Sequence, residues 1–304
     1  MKKKLLITTS SFGSMDLLNE FEVVLNPFGR RLSENEVMAL IEKHQPNAII
    51  AGVEPLTRKV FSLAKNLNVV SRCGVGLDSV DLEAASELGI EIFNTPQAPV
   101  DGVAELTIAL ILSRLRNIPH CDASMKAGLW EKEKGFLLKY QKIGIVGCGR
   151  IGSRIAEIIT VFGSDLYGYD PHITEHHYCK MISLEELFST CDVITLHLPL
   201  LPSTEGLVSR DLIAKMKKGA ILINTARGPI VDEEAVYEAV RNNKIAGIAF
   251  DVFKDEPYAG NLIKLGKETI LSPHQGTNTV EGRKVMEQEA IYNLKSFYEG
   301  KNNA

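Results

Sequence analysis

The segment Lys142-Ile143-Gly144-Ile145-Val146-Gly147-Cys148-Gly149-Arg150-Ile151-Gly152 constrains this chain more than any other. Its last six residues spell G-x-G-x-x-G, with an apolar run before them and a helix-spaced run at 151–162 after them. That strand–turn–helix setting gives the motif its physical meaning. Gly147 makes the tight turn, Gly149 lets the backbone approach a pyrophosphate, and Gly152 lets the helix lie close to the strand. The amides of Arg150 and Ile151 then point from the positive end of a helix toward an anion. Asp170 ends the next apolar run, about 20 residues further on. A carboxylate there accepts hydrogen bonds from an adenosine ribose and repels a 2′-phosphate, so the pattern implies NAD rather than NADP.

The rest of the chain has the same rhythm. Apolar runs at 5–8, 48–51, 69–71 and 90–93 read as strands, and helical spacing separates them at 34–42, 58–65 and 82–87. A longer helix is expected at 103–115, then a less periodic charged stretch to about Tyr140. Strands follow at 142–146, 166–169, 193–197, 220–224, 245–250 and 269–271, and one amphipathic helix at 280–298. Alternating strands and helices build parallel βαβ units, and strands apolar on both faces belong in sheets covered on both sides. A length of 304 residues suits two such domains, each Rossmann-like, with a cleft between them.

Composition excludes several function classes. Thirty-four Lys and Arg against 38 Asp and Glu leave a formal charge of −4, unlike the clustered basic surface of a nucleic-acid binder. No run approaches the ~18 apolar residues of a membrane span, and the apolar run after Lys2-Lys3-Lys4 is too short for a secretion signal. The five cysteines are odd in number and scattered, which implies reduced thiols in a cytoplasmic protein.

Three further segments follow predicted strands: Asn224-Thr225-Ala226-Arg227-Gly228-Pro229, Asp251-Val252-Phe253-Lys254-Asp255-Glu256-Pro257 and Ser272-Pro273-His274-Gln275-Gly276. Side chains at the carboxyl ends of parallel strands face the ligand crevice of a doubly wound sheet. Singly, Arg227 reads as a surface residue, Glu256 as a solvated charge and His274 as a satisfied buried histidine. In order at three strand ends, they offer an anion clamp, an orienting carboxylate and a general acid/base.

With these segments together, the chain resembles the D-isomer-specific 2-hydroxyacid dehydrogenase family, particularly its 3-phosphoglycerate dehydrogenase-like members. The resemblance also rests on Arg72-Cys73-Gly74-Val75-Gly76-Leu77-Asp78, Asn94-Thr95-Pro96, Val103-Ala104-Glu105 and His197-Leu198-Pro199-Leu200. It implies that Arg227 binds the substrate's carboxylate and carbonyl oxygen, that His274 exchanges a proton with the ketone or hydroxyl, and that Glu256 fixes the imidazole. It implies that Arg72 and the turn Gly74-Val75-Gly76 receive the substrate, with the Val75 and Gly76 amides on its carboxylate. Asp251 would hold the nicotinamide carboxamide, Thr225, Ala226 and Gly276 would line the same ring, and His197, Leu198, Pro199 and Thr204 would border the adenosine.

The resemblance further implies an α/β protein with a flavodoxin-like substrate domain at 1–96 and 280–304 and a doubly wound NAD-binding domain at 97–279. It implies hinge closure that excludes water and a homodimer. The partner is expected to be a small 2-hydroxy or 2-keto acid, with neither nucleic acid nor membrane. Arg72 is compatible with a phosphorylated acid such as 3-phosphoglycerate, while Glu54, in a loop without arginine, would repel a phosphate. The alternative class is an NADH-responsive, corepressor-like binding protein without significant turnover. His172, His176 and His177 cluster after Asp170, but Pro171 suggests a loop and no metal is expected. Cys148 reads as a small filler, and Trp130 as part of a dimer contact or as a core or interdomain aromatic.

Overall fold

A computed structural model describes residues 2–97 and 100–302. The chain divides into two units, Met1–Pro99 with Thr277–Ala304, and Val100–Gly276. The first unit opens with β1 (Lys3–Ile7), β2 (Phe21–Leu25), α1 (Glu34–His44), β3 (Ala48–Ala51), α2 (Arg58–Leu63), β4 (Val69–Arg72), α3 (Leu82–Glu87) and β5 (Glu91–Phe93). The second contains α4 (Val100–Leu115), α5 (Ile118–Lys126), β6 (Lys142–Val146), α6 (Arg150–Thr160), β7 (Asp165–Tyr169) and β8 (Lys180–Met181). It continues with α7 (Leu184–Thr190), β9 (Val193–Leu196), α8 (Arg210–Lys215), β10 (Ala220–Asn224), α9 (Glu233–Arg241), β11 (Ile245–Phe250) and β12 (Thr269–Leu271). The chain then returns to the first unit as α10 (Val280–Asn302).

In the first unit the sheet order is β2-β1-β3-β4-β5, all parallel, which is the flavodoxin order. Side chains alternate between its faces. Leu5, Ile7, Ala48, Ile50 and Val69 pack against Ala290, Ile291 and Leu294 of α10. Leu6, Ile49, Ala51 and Val70 meet Val37, Ile41, Val60 and Phe61 of α1 and α2. Each buried Leu, Ile or Val contributes about 1.5–3 kcal/mol, so both layers are needed to hold the sheet.

The second unit has the order β12-β11-β10-β9-β6-β7-β8, again parallel throughout. Ile143, Ile145, Val193, Ile221 and Ile223 face one layer, while Val146, Ile194, Leu196 and Leu222 face the other. A bulge opposite Ala220 and Ile221 shifts the phase of β11, so Ile245 and Ile248 reach the same layer although three residues apart. Strand order reverses around β6, flanked by β7 and β9, and ligands bind such sheets outside the carboxyl ends at that switch point.

Three elements depart from the sequence reading. β2 is an edge strand whose pattern runs from a buried Phe21 to an exposed Leu25, so it has little apolar periodicity to read. Only Ser124 is buried in α5, which leaves that helix without an apolar stripe. β8 is two residues long, too short to carry any period.

Candidate active site

The glycine loop leaves β6 and enters α6 under tight steric limits. Gly147 has φ +95°, and a Cβ there would lie 2.7 Å from the carbonyl carbon of His197. At Gly152 a Cβ would lie 2.0 Å from the Gly147 carbonyl oxygen. Gly149 is the opposite case: among the described residues nothing lies within 4 Å of where its Cβ would stand. Gly149 is also the N-cap of α6 and supplies no side-chain cap, so the first turn, with Arg150 and Ile151, begins beside open space. That leaves helix N–H groups to be met from outside the fold.

Asp170, at the tip of β7, accepts the Cys148 N–H at 2.9 Å and the His172 N–H at 2.9 Å, one on each carboxylate oxygen. It thereby locks its own turn to the glycine loop, and each oxygen keeps a lone pair for a further donor. His197 N donates to the Val146 carbonyl at 2.7 Å, and its ring pairs with the Thr195 hydroxyl at 2.8 Å. Its Nδ1 is buried without a partner among the described atoms, and burial pushes the imidazole down to about 3, so the ring is neutral. Leu198 is buried and Pro199 exposed. The Thr204 hydroxyl donates to the Pro199 carbonyl at 2.7 Å and accepts the Leu201 N–H at 2.8 Å, which closes the turn after β9.

The ends of β10, β11 and β12 bring Arg227, Glu256 and His274 together around one carboxyl group. Glu256 Oε2 meets His274 Nδ1 at 2.8 Å, and Glu256 Oε1 accepts the Phe253 N–H at 3.1 Å. Burial pushes the Glu256 carboxyl up, but the His274 hydrogen bond and charge, the Phe253 N–H and the Arg227 charge together hold it below the usual carboxylate range. A carboxylate on Nδ1 makes that nitrogen the donor and leaves Nε2 to exchange a proton. Arg227 Nη1 donates to the Ala226 carbonyl at 2.7 Å.

These loops are fixed by buried polar side chains. Asn224 donates to the Arg227 carbonyl at 3.0 Å and accepts the Ala226 N–H at 3.0 Å, cinching the turn after β10. Thr225 pairs with Thr107 of α4 at 2.9 Å. Asp251, 1% exposed, accepts the Ser272 hydroxyl at 2.6 Å and the N–H groups of Gln275 and Gly276, each at 2.9 Å. His274 N donates to the Asp251 carbonyl at 2.8 Å, and His274 itself has φ +49°, a conformation its neighbours must impose. Asn224 and Ser272 were not singled out from the sequence, where nothing marks a buried Asn or Ser as a tether.

The first unit carries its own strand-end turn. Arg72 Nη1 donates to the Cys73 carbonyl at 2.9 Å, and a Cβ on Gly74 would fall on that guanidinium. The turn is held by Gly74 N to Thr95 Oγ1 at 2.7 Å and by Asn94 Nδ2 to the Val75 carbonyl at 2.8 Å. Val75 is exposed, with Gly76 beside it. Glu54 is 2% exposed and turned inward, accepting the Gly52 N–H at 2.9 Å and the Thr8 hydroxyl.

Residues 108–276 match the family model of the D-isomer specific 2-hydroxyacid dehydrogenase NAD binding domain. A D-3-phosphoglycerate dehydrogenase of Methanocaldococcus jannaschii is 38% identical over 276 residues, covering 88% of this chain and 52% of that protein. A hydroxypyruvate reductase of Thermotoga maritima is 35% identical over 274 residues, covering 88% of this chain and 89% of the relative. The chain belongs to the D-isomer specific 2-hydroxyacid dehydrogenase family. A D-lactate dehydrogenase of Aquifex aeolicus, solved with NAD and lactic acid, superposes with a TM-score of 0.87 at 26% identity, covering 99% of this chain and 97% of that one. The chain spans about half the length of the D-3-phosphoglycerate dehydrogenases it matches.

The cofactor of this family's domain is NAD, and the residues present fit it. The uncapped first turn of α6 beside the open space at Gly149 suits a pyrophosphate, and the Asp170 carboxylate with spare acceptor capacity suits a ribose. Trp130 is 77% exposed and is not a core aromatic. The Cys148 thiol is buried, and the hydrogen bond with Cys179 followed by burial hold it up as the protonated form, in keeping with a packing role. His176 is used by Ser153, at 2.9 Å, and no group of three metal-ligating side chains stands together among the described residues.

Proposed function

We propose that this chain is an NAD-dependent dehydrogenase that interconverts a D-2-hydroxy acid and its 2-keto acid. The observation that carries the reading is the Glu256–His274 contact of 2.8 Å, at strand ends of the unit that holds the glycine loop. The unit Val100–Gly276 is the cofactor domain, and Met1–Pro99 with Thr277–Ala304 is the substrate domain. NAD, when bound, supplies the ring that accepts or returns the hydride.

The protein's residues do the rest. Arg227 binds the carboxylate and the C2 oxygen of the substrate through its planar guanidinium. In oxidation, His274 Nε2 takes the hydroxyl proton as the C2–H pair leaves as hydride and the C=O bond forms. In reduction it returns that proton to the same oxygen. Glu256 holds the imidazole by Nδ1 and so fixes its tautomer and orientation. Asp251 and Gly276 hold the His274 loop and border the nicotinamide with Thr225 and Ala226, while His197, Leu198, Pro199 and Thr204 border the adenosine. Asp170 selects NAD over NADP by repelling a 2′-phosphate. Gly74, Val75 and Gly76 receive the substrate carboxylate, with Arg72 alongside.

The relatives' names bring 3-phosphoglycerate and hydroxypyruvate to the substrate list. Glu54 is satisfied inside the fold, which weakens its opposition to a phosphate. Exposed Leu129, Trp130, Phe136 and Leu137 support a homodimer through that stretch. Five free thiols support a reducing, cytoplasmic setting. Among the described residues no helix is long and apolar enough to cross a membrane.

The deciding assay follows NADH absorbance against a panel of 2-keto acids that includes 3-phosphohydroxypyruvate and hydroxypyruvate. Turnover with at least one is expected. Tight NADH binding with no turnover of any would overturn the reading in favour of an NADH-responsive binding protein, which the dehydrogenase and reductase relatives do not favour.

A further inference from the structure

Residues 253–257, which carry Glu256, form neither helix nor strand, so contacts from outside must set the position of that carboxyl. On one side Gly228, next to Arg227, packs directly on the Phe253–Lys254 peptide. A Cβ on Gly228 would lie 1.9 Å from the Phe253 carbonyl carbon and 2.3 Å from Lys254 N. On the other side stands Glu233, in the first turn of α9. Its carboxylate accepts the Lys254 N–H at 2.8 Å, and its charge acts on the nearby Tyr258 hydroxyl. Tyr258 in turn accepts the Leu262 N–H at 3.1 Å and stacks on Phe253, with ring centroids 4.2 Å apart.

The N–H that Glu233 holds lies two residues before Glu256, and Tyr258, stacked on Phe253, lies two residues after it. Helix-dipole compensation explains an acidic residue in a first turn, and Glu234 beside it meets that description from an exposed position. It does not explain why Glu233 is half-buried, where burial pushes its carboxyl up against the pull of Lys254 and Tyr258 and with the push of Asp255.

We propose that Glu233 is a positioning residue for the Glu256–His274 pair: it clamps the Glu256 loop at the Lys254 N–H so that the carboxyl meets His274 Nδ1. This rests on the function proposed above. Glu233 touches neither substrate nor cofactor in this role. It acts through Lys254 and the adjoining Phe253 N–H that Glu256 accepts.

The test uses Glu233→Ala, Glu233→Gln and Glu233→Asp in the full chain, with two readouts. The first is the pH titration of the Glu256 carboxyl carbon by ¹³C NMR without cofactor, assigned against Glu256→Gln. The second is kcat and KM for NADH and the best keto acid of the panel. In Glu233→Ala the Glu256 carboxyl should titrate closer to the ordinary carboxylate range, and kcat should fall roughly 10- to 100-fold, the scale of a misplaced group. KM for NADH should hold. Glu233→Gln keeps an acceptor oxygen and should recover most of both. Glu233→Asp draws the carboxylate back from the Lys254 N–H by one methylene and should move the titration the same way by less, which keeps the test open if the alanine variant does not fold. An unchanged Glu256 titration in Glu233→Asp and in any folded Glu233→Ala would overturn the clamp, whatever the activity. A titration that moves while kcat does not would support the clamp and remove the pair from the chemistry.

Discussion

The glycine loop and the three loops around Glu256 lie at the same edge of one sheet and are specified in opposite ways. At Gly147 and Gly152 the structure depends on side chains that are missing, because backbone occupies the space a Cβ would need. Around Glu256 it depends on side chains that are present: Asn224 ties its own turn, Asp251 and Glu233 accept backbone N–H groups of neighbouring loops, and Ser272 braces the Asp251 carboxylate. In the proposed function the cradle made of backbone binds, and the cluster made of tethered side chains reacts. Damage to the first should appear as lost cofactor affinity, and damage to the second as lost turnover.

His274→Ala draws that line most sharply. Losing a positioned acid/base should lower kcat by roughly 10²- to 10⁴-fold, with NAD affinity measured by calorimetry unchanged. If affinity falls in step with turnover, the two regions are not separable. Gly147→Ala should do the reverse. Its left-handed φ alone costs about 1–3 kcal/mol for a residue with a Cβ, and the His197 backbone blocks the added methyl. Thermal denaturation should register a lower Tm, and NAD binding should be lost.

Asp170→Ala tests the polar edge of the same cradle. Removing a charged acceptor should reduce the preference for NAD over NADP on the order of tenfold, read as the ratio of kcat/KM with the two cofactors. An unchanged ratio would take Asp170 out of ribose recognition.

The smallest effect concerns Glu256, whose carboxyl is held below the ordinary range when folded. A depressed folded value adds stability that is whole above about pH 4.3 and lost as pH falls through the folded value. The difference in urea midpoint between the wild type and Glu256→Gln should therefore shrink on acidification from pH 6 to 3. A constant difference would mean that the contacts of Glu256 do not distinguish its charged form.

Much of this arrangement was legible in the chain. The central strands of both sheets could be read because they are apolar on two faces, and the glycine loop because steric exclusion at Gly147 and Gly152 leaves a fixed spacing. Edge strand β2 and helix α5 lacked that signal, since one is half exposed and the other buries little beyond Ser124. Arg227, Glu256 and His274 were legible as strand-end residues and by resemblance. The roles of Ser272 and Glu233 were not, because a tether is defined by the loop it reaches and carries no local spacing.

The sequence by itself determined the alternation of strand and helix, the glycine loop, and the order in which the reactive side chains occur. Local periodicity and steric exclusion act over a few residues, so they are written in consecutive letters. Only the tertiary structure decided that His274 Nδ1 meets Glu256, that Asp251 gathers the 272–276 turn, and that Glu54 turns inward. Those choices depend on hydrogen bonds between loops distant in the chain. Each is set by how parallel strands bring their carboxyl ends to one edge, and by the cost of leaving a buried polar group without a partner.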